Sequence, residues 1–110
     1  MAFSETPFKI SVSDSDLDLL HKKLDLTRFL DELKGAGKDY GSPLADMRRL
    51  VDYWKNGYNW RKHEAALNDE LPQFTRPIAV EGHGTLNIHY VHKKSRAPDA
   101  IPLLFMHGCE

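Results

Sequence analysis

Three leucines and a histidine recur with a helical period near the start of the chain. Between residues 14 and 24 these four side chains fall on one face of a helix, and either Ser13 or Asp14 can cap its N-terminus. The four are Leu17, Leu20, His21 and Leu24. Residues 8–12 alternate apolar and polar, which is typical of an extended segment lying against an apolar surface. These patterns predict a short extended segment followed by an amphipathic helix.

Two more helices are predicted between residues 42 and 71. Ser42 and Pro43 favour a helix start, since serine supplies a capping oxygen and proline fits the first helical position. The apolar positions that follow recur every three or four residues: Leu44, Met47, Leu50, Val51 and Trp54. Gly57 is expected to end this helix in the left-handed conformation. Asn59 then starts a shorter helix, with Trp60, Glu64 and Leu67 as inward candidates and Arg61 and Lys62 outward.

After Pro72 the hydrophobic period changes to two. Residues 74–80 and 85–92 are rich in β-branched and aromatic side chains and flank Gly82-His83-Gly84, which predicts a β-hairpin. Residues 101–106 are almost uninterruptedly apolar and end at His107-Gly108. A run that is apolar on both faces is typical of a central parallel strand, because helices cover both sides of such a sheet.

The predicted elements indicate an incomplete α/β protein. A helical segment (residues 1–72) precedes the first three strands of a sheet (residues 73–108), all within one domain over residues 1–110. No covering helix and no neighbouring parallel strand for residues 101–106 is predicted anywhere in the 110 residues. The sheet is therefore expected to lack its second half.

Composition narrows the possible partners. The chain is 41% hydrophobic and 28% charged, and fifteen Lys and Arg balance sixteen Asp and Glu, so nucleic acid and anionic membranes are not expected to bind. No membrane span is predicted, because no stretch approaches about 20 apolar residues. The single cysteine, Cys109, cannot form an internal disulfide, and the first residues lack the features of a secretory signal. A cytoplasmic location is expected.

Four blocks of residues carry a family resemblance. They are Phe8-Lys9-Ile10 with Thr27-Arg28-Phe29; Tyr40-Gly41 with Leu50-Val51-Asp52-Tyr53-Trp54; Tyr58-Asn59-Trp60-Arg61-Lys62-His63-Glu64; and Leu86-Asn87-Ile88-His89-Tyr90-Val91-His92 leading to residues 101–108. In this order the blocks resemble the N-terminal region of microsomal-type epoxide hydrolases and of their fungal and insect relatives. The resemblance spans essentially the whole chain and implies an α/β-hydrolase fold.

The resemblance also implies a chemistry. Family members open epoxides through an Asp ester intermediate, assisted by two cap tyrosines and by a His paired with an acid. None of these positions exists in the chain, so no catalytic residue is assigned and the epoxide substrate is expected only for the complete enzyme. His107 and Gly108 match the start of the family's His-Gly-x-Pro oxyanion-hole turn, as a remnant. Cys109 and Glu110 stand where the family has Trp and Pro.

Other candidate sites have structural alternatives. His83, His89 and His92 could form a metal site, but on a strand His89 and His92 point to opposite faces, which favours ordinary sheet and turn histidines. Four aromatic residues could form a binding platform, whereas their helical spacing favours core packing; they are Tyr53, Trp54, Tyr58 and Trp60. Cys109 is a free thiol with no base beside it in the sequence. No metal and no cofactor is expected.

Three functions are compatible with these observations. The first is an N-terminal structural module of an epoxide hydrolase, inactive by itself. The second is a non-catalytic binding or regulatory module that pairs with a full-length hydrolase or with itself, since an exposed strand at residues 101–106 could add to another sheet. The third, a separate small-molecule activity of the histidines, ranks last.

Overall fold

A computed structural model describes residues 4–108, which form three helices and three strands. In chain order these are β1 (Thr6–Phe8), α1 (Asp14–Asp25), α2 (Leu44–Asn56), α3 (Trp60–Glu70), β2 (Gln73–Val80) and β3 (Gly84–Val91). Two compact units divide them. The helical unit is Ile10–Leu67, and the sheet unit comprises the described residues on either side of it. The predicted succession is confirmed from the first extended segment through the hairpin.

Helix α1 begins as its sequence predicts. The Ser13 hydroxyl accepts a hydrogen bond from the Asp16 backbone N–H at 3.1 Å, which satisfies one of the free donors at the helix N-terminus. Lys22 and Lys23 lie in the last turn, where positive charge is favourable. Leu24 is buried, and Lys55 of α2 forms an ion pair of 2.8 Å with Asp25. The predicted boundaries are confirmed to within one residue.

Helix α2 starts and ends differently from the prediction. Pro43 occupies the cap position without a side-chain bond, and the Leu44 N–H donates instead to Glu32 Oε2 at 2.7 Å. The predicted cap by Ser42 is therefore wrong, because a carboxylate from the preceding loop takes its place. Gly57 ends the helix in a right-handed conformation with φ −117°, not the expected left-handed one. Glycine is needed there for space, since a Cβ atom would lie 2.6 Å from the Tyr53 ring.

The strands form one antiparallel sheet in the order β1-β2-β3. The hairpin between β2 and β3 is confirmed, with Val80 opposite Gly84. His83 N–H donates to the Val80 carbonyl at 3.0 Å, and Gly82 between them has φ +77°. A positive φ at the third residue is what a type II turn requires, and glycine adopts it without steric cost. Residues 8–12 were predicted as extended, but only Thr6–Phe8 pairs in the sheet.

Residues 101–106 belong to no strand of the described chain. The prediction of a central parallel strand there is wrong for this structure, and β1 is the third strand instead. The physical reason is that a strand forms only where a neighbour satisfies its backbone groups, and no described segment pairs with this one. The side chains of Ile101, Leu103, Leu104, Phe105 and Met106 are 81–91% exposed.

The described residues bury little. Among them, only Leu24, Glu64 and Gln73 have less than a tenth of their surface exposed to solvent. Met47, Leu50 and Trp54 were predicted to face inward, yet all three remain exposed. An apolar helix stripe stays exposed where no other layer of secondary structure packs against it. No helix of the described residues is both long enough and apolar enough to cross a membrane.

We expect Gly82→Ala to destabilise the hairpin by about 1 kcal/mol, because an L side chain at positive φ meets the neighbouring carbonyl oxygen. Urea titration monitored through the β2 and β3 amide signals measures this change. Gly108→Ala is the matched control: Gly108 lies outside the positive-φ set and a Cβ there meets open space. Equal effects of the two substitutions would contradict the turn assignment.

The ion pair between α1 and α2 should be visible in a pH titration. The hydrogen bond and then the charge of Lys55 lower the pKa of Asp25 below its ordinary value of 3.8. Since the folded pKa is depressed, the stabilisation is complete above that value and is lost as the pH falls through the folded pKa. In Lys55→Gln, NMR titration should find the Asp25 pKa raised. An unchanged pKa would show that the pair does not form in solution.

Candidate functional site

The predicted remnant of an oxyanion-hole turn, His107-Gly108, lies in an exposed part of the sheet unit. His107 and Gly108 follow residues 101–106, and both are exposed. The His107 Nδ1 atom lies 2.8 Å from the Gly108 carbonyl oxygen, so the Nδ1–H tautomer donates there. Backbone donors stabilise a developing negative charge only when the surrounding structure fixes them in advance. No strand of the described chain fixes these two residues. Cys109 and Glu110 lie outside the described residues.

The histidines of the hairpin have structural partners. His89 Nε2 lies 3.0 Å from Gln73 Oε1, and the His89 ring packs edge-on against Phe8 at 4.7 Å. The His83 N–H closes the turn, and the His92 N–H donates to the Pro72 carbonyl at 3.0 Å. Within residues 4–108, no three His, Cys, Asp or Glu side chains come together in a way that could hold a metal ion.

An aromatic cleft of about 970 Å³ lies within the helical unit. Its apolar lining comes from the middle of α1, the C-terminal half of α2, the connection after α2 and the first residue of α3: Leu17, Leu20, Leu50, Tyr53, Trp54, Tyr58 and Trp60. The Tyr58 ring stacks on His63 at 4.7 Å and meets Tyr53 edge-on at 6.4 Å. The Trp60 indole Nε1 is buried and has no hydrogen-bond partner among the described residues.

The predicted core packing of the aromatic residues is only partly correct. Tyr58 and Trp60 are half-buried, whereas Tyr53 is 56% and Trp54 is 45% exposed. The periodicity of α2 identified the correct helix face. It could not show that this face is left uncovered, because cover depends on elements distant in sequence.

Glu64 organises a polar network beside this cleft. Its side chain is buried and accepts the Val12 N–H at 3.2 Å and Arg61 Nη1 at 2.6 Å. The other arm of Arg61 reaches Asp14. The hydrogen bonds to Asp14 and then to Glu64 raise the pKa of the Arg61 guanidinium. The network fastens the segment that precedes α1 onto α3, inside the helical unit.

Sequence analysis placed Glu64 inward and Arg61 outward, and both placements are confirmed. It did not identify the network. The available signal was an acidic residue at an inward helical position, since a buried carboxylate requires donors. Those donors come from Val12 and Arg61, and the first of them lies 52 positions away.

A second cavity, of about 590 Å³, lies between α2 and the 27–41 loop. Arg48 stands over the Phe29 ring at 5.9 Å, and Glu32 caps α2 from the same loop. These contacts give the irregular loop defined attachment points on α2. Phe29 belongs to the first of the resemblance blocks, so the structure gives this block a packing role.

Known proteins resemble this chain over most of its length. Residues 5–109 match the protein family described as "Epoxide hydrolase N terminus". Juvenile hormone epoxide hydrolase 2 of Ctenocephalides felis is 39% identical over 108 residues, which cover 96% of this chain and 22% of that protein. Epoxide hydrolase 1 of Sus scrofa is 34% identical over 106 residues, covering 93% and 22%.

Among solved structures, Aspergillus niger epoxide hydrolase superposes with a TM-score of 0.71 at 28% identity, over 90% of this chain and 25% of that one. The predicted α/β-hydrolase fold class and the family resemblance are thereby confirmed. The chain spans about a quarter or less of the length of the relatives it matches.

Replacing Glu64 tests the polar network. Glu64→Ala leaves the Val12 N–H without an acceptor and is expected to cost about 1–3 kcal/mol of the free energy of unfolding. Glu64→Gln keeps one acceptor oxygen and should cost less. Urea titration monitored through Trp54 and Trp60 fluorescence measures both, with the exposed Glu70→Ala as control. A loss no larger than that of the control would remove Glu64 from this role.

Proposed function

Because the chain belongs to the epoxide hydrolase N-terminal family, we propose that it is the structural N-terminal module of an epoxide hydrolase and that it has no activity by itself. In the complete enzyme it would provide wrapping helices and the first strands of the sheet. The observation that carries this proposal is the exposed apolar run of residues 101–106, which ends in His107-Gly108. An apolar run of that kind gains stability only when further strands and helices cover it.

The chemistry of the proposal belongs to the complete enzyme. The relatives are named as epoxide hydrolases, and the substrate class proposed for the complete protein is an epoxide. We assign His107 and Gly108 to the oxyanion-hole turn, where backbone N–H groups fixed by neighbouring strands would stabilise the developing charge. The proposed inactivity is supported by the carboxylates of residues 4–108, which lie on helices or in loops and turns, with no Asp on a tight turn between a sheet strand and a following helix.

The proposal also covers location. A reducing compartment such as the cytoplasm suits a chain with the single cysteine Cys109, since no internal disulfide is available to it.

A second candidate function is pairing with a full-length hydrolase as a non-catalytic partner. The observation in its favour is the edge of β3, which faces no other strand of the described residues. An extended segment of another chain could add to such an edge. Co-elution of the purified chain with a full-length relative in size-exclusion chromatography would support this function, and separate elution would count against it.

Coexpression tests the structural module. We expect the purified chain to open a simple epoxide such as styrene oxide no faster than buffer does. Coexpressed with an epoxide hydrolase polypeptide that lacks the matching N-terminal segment, the chain should restore diol formation, because it supplies the missing first strands. Product analysis by chromatography measures both.

Phe105→Asp should abolish this restoration, because it places a charge in the apolar run. Ser95→Asp adds the same charge to the exposed loop before the run and should leave restoration intact. Epoxide opening by the chain alone would contradict the inactivity, and coexpression without diol formation would contradict the module.

A further inference from the structure

The edge of β3 lacks the features that normally prevent strand addition. Within the described residues, β3 pairs only with β2, so its second edge carries backbone groups that no strand satisfies. Gly84–Val91 contains no charged residue and no proline. Natural sheets protect such edges with lysine, proline or bulges, and an unprotected edge is a template for another strand.

Two prolines indicate which groups this edge presents. Proline has no N–H, so a proline within a strand sits where the N–H would point away from its ladder partner. Pro77 lies opposite Asn87, which makes this a pair without mutual hydrogen bonds. The N–H and C=O of Asn87 therefore point away from β2 to the open edge, and those of every second residue of β3 do the same. On the other side of the sheet, Pro7 lies opposite Phe74 in the same kind of pair.

The apolar face of the sheet extends to this edge. In the observed register, Ile78 lies opposite Leu86, and Ile88 follows two positions along β3 on the same face. All three side chains are exposed. A strand added beside β3 would extend an apolar face as well as satisfy backbone groups.

Residues 101–106 have the properties of such a strand. The segment is uncharged and its apolar side chains are exposed. Every residue in it is apolar, so either pairing register places apolar side chains on the apolar face of the sheet. Leu103 and the residues after it retain their N–H groups beyond Pro102.

The connection within one chain disfavours pairing with its own β3. Segments that are apolar on both faces are typical of parallel strands, and parallel neighbours in one chain need a crossover of about a dozen residues or more. Only residues 92–100 join β3 to the segment. A second copy has no such restriction. The formal net charge of −1 provides little repulsion between copies.

We propose that two copies of this chain associate by reciprocal strand addition, in which residues 101–106 of each copy pair in parallel with the open β3 edge of the other. One six-residue strand is a small contact, and the reciprocal arrangement doubles it and closes the assembly as a symmetric dimer. This association uses no hydrolase partner and is independent of the proposed enzyme function.

The test pairs two defective variants. Phe105→Asp disables the added strand and leaves the edge intact, whereas Asn87→Pro removes an outward N–H from the edge and leaves the strand intact. Sedimentation velocity should find the wild type at twice the monomer mass of 12.6 kDa at high concentration, and each variant alone as a monomer. A mixture of the two variants should form a weaker heterodimer, because one intact edge meets one intact strand.

Controls separate this pairing from general adhesion. Ser95→Asp should dimerise like the wild type, and amide NMR signals of β2 and β3 should show that Asn87→Pro keeps the hairpin; if it does not, Asn87→Lys at the same edge replaces it. A monomeric wild type, dimers that persist in the folded edge variant, or a mixture that remains monomeric would each overturn the proposal. A wild-type monomer whose residues 101–106 are protected from hydrogen exchange would also overturn it, by showing pairing within one chain.

Discussion

A strand is stable only where a neighbouring strand satisfies its backbone groups, and the described residues contain one strand-forming segment more than they pair. β2 has two neighbours, β1 and β3 have one each, and residues 101–106 have none. The exposed apolar run, the unsupported His107-Gly108 that follows it and the open edge of β3 are all consistent with this shortage.

In the helical unit, polar contacts are more prominent than apolar burial. Three polar contacts define its local geometry: the Ser13 cap of α1, the Glu32 cap of α2 and the buried Glu64 carboxylate. Each of these side chains accepts a hydrogen bond from a backbone N–H group that would otherwise lack a partner. Polar contacts of this kind define where the segments lie, whereas most of the stabilisation of a complete protein comes from apolar burial. In the described residues the polar contacts are present, whereas apolar burial is small.

The sequence was sufficient for features that depend on neighbouring residues. The start of α1 behind Ser13 or Asp14, the helix start at Asn59 and the glycine turn of the hairpin were predicted correctly, because their determinants lie within a few positions. The prediction failed where a distant residue intervened. Glu32 displaced Ser42 as the cap of α2, and a missing neighbour left residues 101–106 unpaired. For the candidate site, the family resemblance implied an oxyanion-hole remnant at His107 and Gly108, which stays a prediction, and no local pattern could show whether a strand holds these residues.

The position of β1 in the chain determines the order in which the molecule can assemble during synthesis. Its partner β2 emerges from the ribosome only after the whole helical unit, which lies between them in sequence. The helices can therefore form their caps and the Glu64 contacts while Thr6–Phe8 is still unpaired. Translation speed through the α1–α3 region would then affect how long the amino-terminal strand stays available to chaperones and to foreign strands.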